Sequence, residues 1–171
     1  IFKASLLKPL DMIISKNFLF NSRANFFEIT KFFGRGIITG LARINGYSVG
    51  ILANDSNFYA GSMSAQGAQK TSRFVKMCDT FHLPIISLID EPGFLIGPEA
   101  EEQATILHGT HAVLAVIESK VPWTSIMIRK SFGVAAAAHY GPDGYVLAWP
   151  SAESGALPVE GGVAVAFKKE I

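Results

Sequence analysis

The polar and apolar positions between residues 37 and 53 follow the two-residue repeat of a β-hairpin. Apolar residues alternate there with small or polar ones, and Asn45-Gly46 supplies the positive-φ residues that a two-residue turn favours. From about residue 65 to 81 the repeat changes to that of a helix. The sequence therefore predicts a hairpin followed by a helix.

A short, purely apolar run at residues 85–89 follows Pro84 and predicts a fully buried strand. Beyond it, a long helical segment is predicted over residues 98–119, with Pro98 suited to its first turn and several acids near its positive end. Strands and helices thus alternate, which is typical of an α/β layered domain. The other predicted elements are a helix over about residues 1–15, strands at 121–129 and 145–149, and an apolar segment at 163–167.

Two loops that follow predicted strands are the candidate ligand-binding segments. The first, residues 90–97 (DEPGFLIG), leads from the buried strand into the long helix. The second, residues 129–138 (RKSFGVAAAA), follows the next strand and opens a helix at Gly133. In open α/β sheets ligands bind at the carboxyl ends of strands. We therefore expect the two junctions to face one another across a cleft.

The composition of the 171 residues is apolar for a globular domain, with 49% hydrophobic and 17% charged residues. No stretch reaches the roughly 18 apolar residues of a membrane span, so we expect the excess apolar surface to lie in subunit interfaces or against a missing part of the same polypeptide. A net charge of +1 argues against electrostatic binding of nucleic acid. The single Cys78 excludes an internal disulfide and a cysteine metal cluster, and we interpret it as a small buried residue in a reducing compartment.

Several familiar catalytic motifs are missing or misspaced. Residues 61–71 (GSMSAQGAQKT) fail as a phosphate-binding P-loop because two residues separate the second glycine from Lys70. No G-x-G-x-x-G fingerprint follows a strand, and neither Ser62 nor Ser64 is placed in a G-x-S-x-G nucleophile elbow. The four histidines show no metal-binding spacing and are interpreted as ordinary positions: His82, His108, His111 and His139.

Carboxylates and backbone groups are the remaining candidates at the two junctions. Asp90 and Glu91 are consecutive, so their side chains point to opposite sides of an extended segment, and we predict that one of them braces the loop by accepting backbone N–H groups. Gly133 and the two residues after it open a helix whose unpaired N–H groups can stabilise a negative oxygen. Small residues there allow close approach of a ligand to the main chain.

An ordered set of motifs resembles the β-subunit group of biotin-dependent acyl-CoA carboxylases, the carboxyltransferases of propionyl-CoA and methylcrotonyl-CoA carboxylase. Residues 90–97 resemble the family's D-x-P-G-F-x-x-G loop. The other matching segments are its hairpin at 37–46 (IITGLARING), its K-x-x-R-F and C-D-x-F helix at 70–81, its R-K-x-[YF]-G-G-A junction at 129–135 and its A-W-P-x-A-E motif at 148–153.

The resemblance implies a crotonase-like (ClpP/crotonase) layered β-α spiral domain. Carboxyltransferases of this group have two such halves, and residues 1–171 resemble the carboxyl-terminal, biotin-side half, without the amino-terminal half that binds acyl-CoA. The implied activity is transfer of a carboxyl group from carboxybiotin to the α-carbon of an acyl-CoA, in fatty-acid or branched-chain metabolism. The reactive centre would form where the first half of one subunit meets the second half of another.

The same resemblance implies the site residues. The backbone N–H groups of Val134 and Ala135 would form the oxyanion site, although Val134 stands where the family motif has its second glycine. The residues implied to contact the cofactor are Gly133, Gly93, Phe94 and Leu95. Those implied to shape the substrate pocket are Ala136 and Ala137.

The implied cofactor is biotin, carried covalently by a partner domain or subunit, with acyl-CoA as substrate and no metal. The implied partners are a biotin carboxyl carrier, a biotin carboxylase component and the amino-terminal half, in a homo-oligomer between dimer and hexamer in the cytoplasm or mitochondrial matrix.

Three alternatives remain open from the sequence. The first is the carboxyltransferase subunit of a biotin-dependent acyl-CoA decarboxylase, which runs the transfer in reverse. A crotonase-like hydratase or isomerase would need an acid–base carboxylate such as Glu91 near Val134. A non-catalytic crotonase-like assembly module would suit the apolar composition.

Overall fold

A computed structural model describes residues 26–44 and 46–157. The predicted helix over residues 1–15 and the apolar segment at 163–167 lie outside these described residues. Within them, the predicted alternation of strands and helices is confirmed.

Seven strands of the described chain form one mixed sheet. They run in the spatial order β1-β2-β3-β4-β5-β6, and β7 also pairs with β5. The first three strands are antiparallel, whereas β3, β4, β5 and β6 are parallel neighbours, as are β5 and β7. The strands are β1 (Phe27–Ile29), β2 (Ile37–Ile44), β3 (Tyr47–Asn54), β4 (Ile85–Glu91), β5 (Trp123–Phe132), β6 (Tyr145–Ala148) and β7 (Glu153–Gly155).

The predicted hairpin is formed by β2 and β3, whose register closes at the pair Ile44 and Tyr47. Gly46 in the turn has φ +89°, the left-handed conformation that the Asn-Gly pair predicted. The predicted buried strand at 85–89 extends to Glu91, so Asp90 and Glu91 end a strand rather than begin a loop.

The helices are α1 (Ala65–Thr80), α2 (Pro98–Glu102), α3 (Thr105–Ile117) and the single turn α4 (Gly133–Ala136). Short 3-10 turns lie at Tyr59–Gly61 and Ala137–His139. The helix α1 begins at an N-cap, because the Ser64 side chain accepts a hydrogen bond from the N–H of Gly67 at 3.1 Å.

The prediction of a single helix over residues 98–119 is wrong in one respect, because the segment forms two helices, α2 and α3. Ala104 adopts φ +54°, a left-handed conformation that ends a right-handed helix. The hydroxyl of Thr105 then donates to the carbonyl of Ala100 at 2.7 Å, which satisfies an acceptor that the break leaves free.

The core has two parts, one on each face of the sheet, because successive strand residues point to opposite faces. One part packs α1 and α3 against the sheet and contains Leu52, Cys78 and Val116. The other contains Ile38, Ile51 and Leu88. Burial raises the pKa of the Cys78 thiol to about 12, which agrees with the predicted structural role of this residue.

Candidate functional site

The two junctions predicted from the sequence leave neighbouring parallel strands at the same edge of the sheet. Strands β4 and β5 pair directly, and Glu91 lies opposite Ser131 after a local register shift. Residues 92–97 and 133–136 therefore start side by side. This adjacency was predicted and is confirmed; that a ligand lies between the two junctions stays a prediction.

The loop after β4 is fixed by the loop that precedes α1. The N–H of Met63 donates to the carbonyl of Gly93 at 3.1 Å, and the N–H of Leu95 donates to the carbonyl of Met63 at 2.9 Å. Gly93 has φ +134° and Gly97 has φ +117°, in a region that L side chains rarely adopt. No heavy atom lies within 4 Å of a Cβ built on either glycine, so this backbone is open to close approach.

Phe94 and Leu95 differ in their surroundings. The Phe94 ring packs against α3 at Gly109, where an added Cβ would lie 2.3 Å from the ring's Cζ atom. Leu95, which is half-buried, lines an apolar pocket between the loop, α2 and the start of α3. The helix glycine is thus required to seat the phenyl ring and with it the loop.

Glu91 is the carboxylate that braces the loop, as the sequence predicted for one of the two acids. The side chain is fully buried, and its Oε1 accepts from the N–H of Met63 at 3.2 Å and from the N–H of Gly93 at 3.0 Å. Its Oε2 accepts from Nδ2 of Asn54 at 3.0 Å. Asn54 in turn accepts the N–H of Asp90 at 3.0 Å, so the ends of β3 and β4 are locked together.

Asp90 points to the opposite side of the strand, as predicted, and holds β5. Its Oδ1 accepts from Nε of Arg129 at 2.9 Å and from the N–H of Lys130 at 3.2 Å. Nη2 of Arg129 lies 2.9 Å from Oδ2 of Asp90. This two-point ion pair fixes the approach to the second junction.

The second junction turns sharply at Gly133, which has φ +65°. A Cβ there would lie 3.5 Å from the carbonyl of Ala156, an ordinary contact, so the requirement for glycine is conformational rather than steric. The turn opens α4, whose first N–H groups have no intrahelical acceptor. None of the loop and turn hydrogen bonds of the described residues uses the N–H of Val134 or of Ala135.

The side chains at this junction point in different directions. Val134 is 70% exposed, so it lies outside the core. Ala135 and Ala136 are buried, and Ala137 is half-buried. The run of alanines thus packs mainly inward, with its small side chains letting the main chain approach the sheet.

The sequence comparison decides the family. A family model described as the carboxyl transferase domain matches residues 9–171. The chain belongs to the carboxyl transferase domain family. The resemblance drawn from the motifs is therefore confirmed, and the two junctions belong to a carboxyl transferase domain.

Relatives of this carboxyl transferase domain chain are named for both directions of carboxyl transfer. The carboxyltransferase subunit of propionyl-CoA carboxylase from Haloferax mediterranei is 36% identical over 151 residues, which cover 86% of this chain and 29% of that protein. Methylmalonyl-CoA decarboxylase subunit alpha from Veillonella parvula is 36% identical over 148 residues, covering 85% of this chain and 29% of that protein. The chain therefore spans less than a third of the length of these relatives.

A solved structure with the same fold is that of the transcarboxylase 12S hexamer with methylmalonyl-coenzyme A and methylmalonic acid bound. The TM-score is 0.81 at 36% sequence identity, over 85% of this chain and 29% of that chain. The predicted α/β, crotonase-like fold of the carboxyl transferase domain is confirmed by this similarity.

Two site features were missed from the sequence. Asn54 ends β3 and ties Glu91 to Asp90, and His139 contacts Glu91 from the far end of the second junction. Asn54 begins a polar run after the hairpin, which predicts a loop but does not indicate the hydrogen-bond partners of Asn54. In the described residues no group of three or more histidine, cysteine or acidic side chains is arranged to hold a metal, and no helix is long and apolar enough to cross a membrane.

Proposed function

We propose that the chain is the carboxyl-terminal, biotin-side domain of a biotin-dependent acyl-CoA carboxyltransferase. The observation that carries this proposal is the Gly133 turn, which opens α4 at the exposed Val134 beside the Gly93–Leu95 loop in a carboxyl transferase domain. A ureido oxygen needs hydrogen-bond donors as negative charge develops on it, and backbone N–H groups supply them without a change in conformation.

The residues at the two junctions suit the biotin ring. Open backbone at Gly93 allows the ring to approach the main chain, and the first N–H groups of α4, which lack an intrahelical acceptor, would donate to its oxygen. When bound, carboxybiotin supplies the carboxyl group for the acyl α-carbon and the base that removes the α-proton. Phe94 and Leu95 exclude water, while Gly133 holds the two N–H groups in place.

Asp90 and Glu91 have supporting roles in this proposal. Asp90 holds Arg129, and Glu91 holds the backbone of Gly93 and Met63. Because Glu91 is fully buried and its oxygens already accept three hydrogen bonds, it is not placed as the acid–base group that a hydratase or isomerase needs. Ala137, which is half-buried, would leave room for the acyl group beside Val134, whereas Ala136 is buried and packs inward.

The acyl-CoA site would be completed by an amino-terminal half and by a second subunit. Support comes from the relatives' greater length and from the exposed apolar face of α3, which carries Ile106, Leu107, Leu114 and Ile117. The transcarboxylase 12S neighbour is a hexamer, which supports an oligomer between dimer and hexamer. We further propose a biotin carboxyl carrier and a biotin carboxylase as partners, in the cytoplasm or mitochondrial matrix.

The reverse reaction tests the proposal. The complete gene product that contains this chain is mixed with free biotin and malonyl-, methylmalonyl- or methylglutaconyl-CoA, and the CoA products are identified by mass spectrometry. We expect biotin-dependent loss of CO₂ from one of these thioesters, and none with the isolated 171-residue chain. Loss of CO₂ would support carboxyl transfer by a carboxylase or a decarboxylase subunit alike, since relatives of both kinds are 36% identical. A folded gene product without turnover would favour the assembly-module alternative.

A further inference from the structure

The imidazole of His139 is fully buried between the two junctions and is held at several points. Its Nδ1 lies 2.9 Å from the hydroxyl of Ser87, and its Nε2 lies 3.6 Å from Oε2 of Glu91. The backbone carbonyl of the same residue accepts from Nε1 of Trp123 at 2.9 Å and from the hydroxyl of Ser125 at 2.7 Å. His139 is therefore anchored to both β4 and β5.

The atoms around the ring specify where its hydrogen lies. The Ser87 hydroxyl has a hydrogen to donate, whereas the Glu91 carboxylate, which accepts from three donors, presents only acceptor oxygens. A hydrogen on Nε2 therefore faces the carboxylate, and Nδ1 accepts from Ser87. Nε2 has no hydrogen-bond partner within the described part of the chain, so the acceptor nearest to it is Oε2 of Glu91.

The three side chains form a serine–histidine–glutamate set, but they are not a nucleophilic triad. Ser87, His139 and Glu91 are all fully buried, so no substrate can reach the serine oxygen. A buried polar set of this kind fixes the elements that carry its members.

His139 connects the two junctions through these contacts. It ends the helical segment 133–139, which starts at the Gly133 turn. It also contacts Glu91, which accepts the N–H groups of Gly93 and Met63. His139 is therefore connected to the loop after β4. His139 thus links the end of this helical segment to the glutamate that braces the loop after β4.

We propose that His139 is a positioning residue for carboxyl transfer, which sets the oxyanion turn and the Gly93–Leu95 loop in register through a hydrogen on Nε2 directed at Glu91. This inference rests on the proposed function for its catalytic consequence. The coupling between the two junctions is independent of it.

Two substitutions separate the positions of the two ring nitrogens. His139→Gln places an amide donor near the position of Nε2, whereas His139→Asn places its amide near Nδ1 and leaves the space beside Glu91 without a donor. In the complete gene product we expect His139→Asn to lower kcat for biotin-dependent carboxyl transfer roughly 10- to 100-fold, as misplacement of reacting groups does. KM for the acyl-CoA should stay unchanged, and His139→Gln should keep most of the activity. The matched control is His82→Asn, at an exposed histidine after α1.

Equal losses in the glutamine and asparagine variants would overturn the proposal, since packing alone would then explain the effect. So would a rise in KM without a fall in kcat.

Amide hydrogen exchange, followed by mass spectrometry, tests the coupling without any turnover. His139→Asn should speed exchange in peptides spanning 91–97 and 132–138 together, by roughly tenfold or more for a lost contact worth about 1.4 kcal/mol. His82→Asn should change neither. If only one peptide responds, the coupling is refuted; if both respond in a gene product that shows no turnover, the coupling stands and the proposed function fails.

Discussion

Replacing Glu91 with glutamine is the most informative single change to the scaffold of the site. The substitution keeps the shape of the side chain, so it creates no cavity. It removes the charge and turns one acceptor oxygen into an NH₂ donor. In the unsubstituted chain, three donors point at the carboxylate: Nδ2 of Asn54 and the N–H groups of Met63 and Gly93.

The glutamine amide can satisfy only part of this set. If its oxygen faces Met63 and Gly93, its NH₂ meets Nδ2 of Asn54, and a buried donor is left without an acceptor at a loss of about 1–3 kcal/mol. Asn54 cannot turn over to compensate, because its Oδ1 accepts the N–H of Asp90 at 3.0 Å. The two remaining hydrogen bonds also weaken by about 1 kcal/mol each when the acceptor loses its charge.

Removal of a buried charge offsets some of this loss, because the desolvation of the carboxylate disappears as well. We therefore expect a net decrease of about 2 kcal/mol in the free energy of unfolding. With a urea m-value of about 2 kcal/mol/M, the unfolding midpoint of the 171-residue chain should fall by about 1 M. Equilibrium unfolding in urea, followed by circular dichroism, measures it.

Glu102→Gln is the matched control, because Glu102 is an exposed glutamate of α2 that undergoes the same chemical change. Its midpoint should stay within about 0.25 M of wild type, as expected for a surface substitution. If Glu91→Gln behaved like this control, the hydrogen bonds to Glu91 would contribute nothing to stability, and Glu91 could not be the residue that braces the loop.

Three further predictions concern other parts of the scaffold. Gly109→Ala should destabilise the chain by about 1–3 kcal/mol in urea unfolding, because its Cβ would overlap the Phe94 ring, and adding Phe94→Ala should recover part of the loss. Burial lowers the pKa of Lys70 below 10.5, so the folded state binds fewer protons than the unfolded state as the pH approaches this value. The free energy of unfolding should therefore rise as the pH increases toward 10.5. Lys70→Met should lack this rise, although it also loses the hydrogen bond to the carbonyl of Ile37. The Cys78 thiol, with its pKa raised to about 12, should react with a disulfide reagent at pH 8 at least about 100-fold more slowly in the folded chain than in urea, and comparable rates would show that the thiol is accessible.

Local signals in the sequence were sufficient for the elements that hold the two junctions. The Asn45-Gly46 turn, the apolar run at 85–89 and the glycines at 93 and 133 each have a backbone requirement that only a few residue types meet. Parallel pairing of β4 and β5 then followed from the helix between them. The family motifs added the function that these patterns alone left open.

The break at Ala104 and the buried contacts behind the junctions could not be predicted in this way. Ala104 is a strong helix former, so its left-handed conformation results from tertiary packing rather than from its own preference. Asn54 and Glu91 are 37 residues apart, and Ser87 and His139 are 52 apart. Such pairs are set by the placement of whole elements, and a single histidine after a run of alanines has no spacing that reveals its partners.

The central claim, that backbone N–H groups at the Gly133 turn stabilise the biotin oxygen, is tested most directly at Val134. Val134→Pro removes one N–H group at a first-turn position where helices tolerate proline, and the exposed valine side chain leaves no cavity. Val134→Gly keeps the N–H and serves as the control. The measurement is the rate of biotin-dependent CO₂ loss by the complete gene product at saturating biotin, with the acyl-CoA that the panel identifies. We predict a loss of roughly 10²–10³-fold in kcat for Val134→Pro, with Val134→Gly at least as active as wild type. Equal activity of the proline and glycine variants would contradict the account.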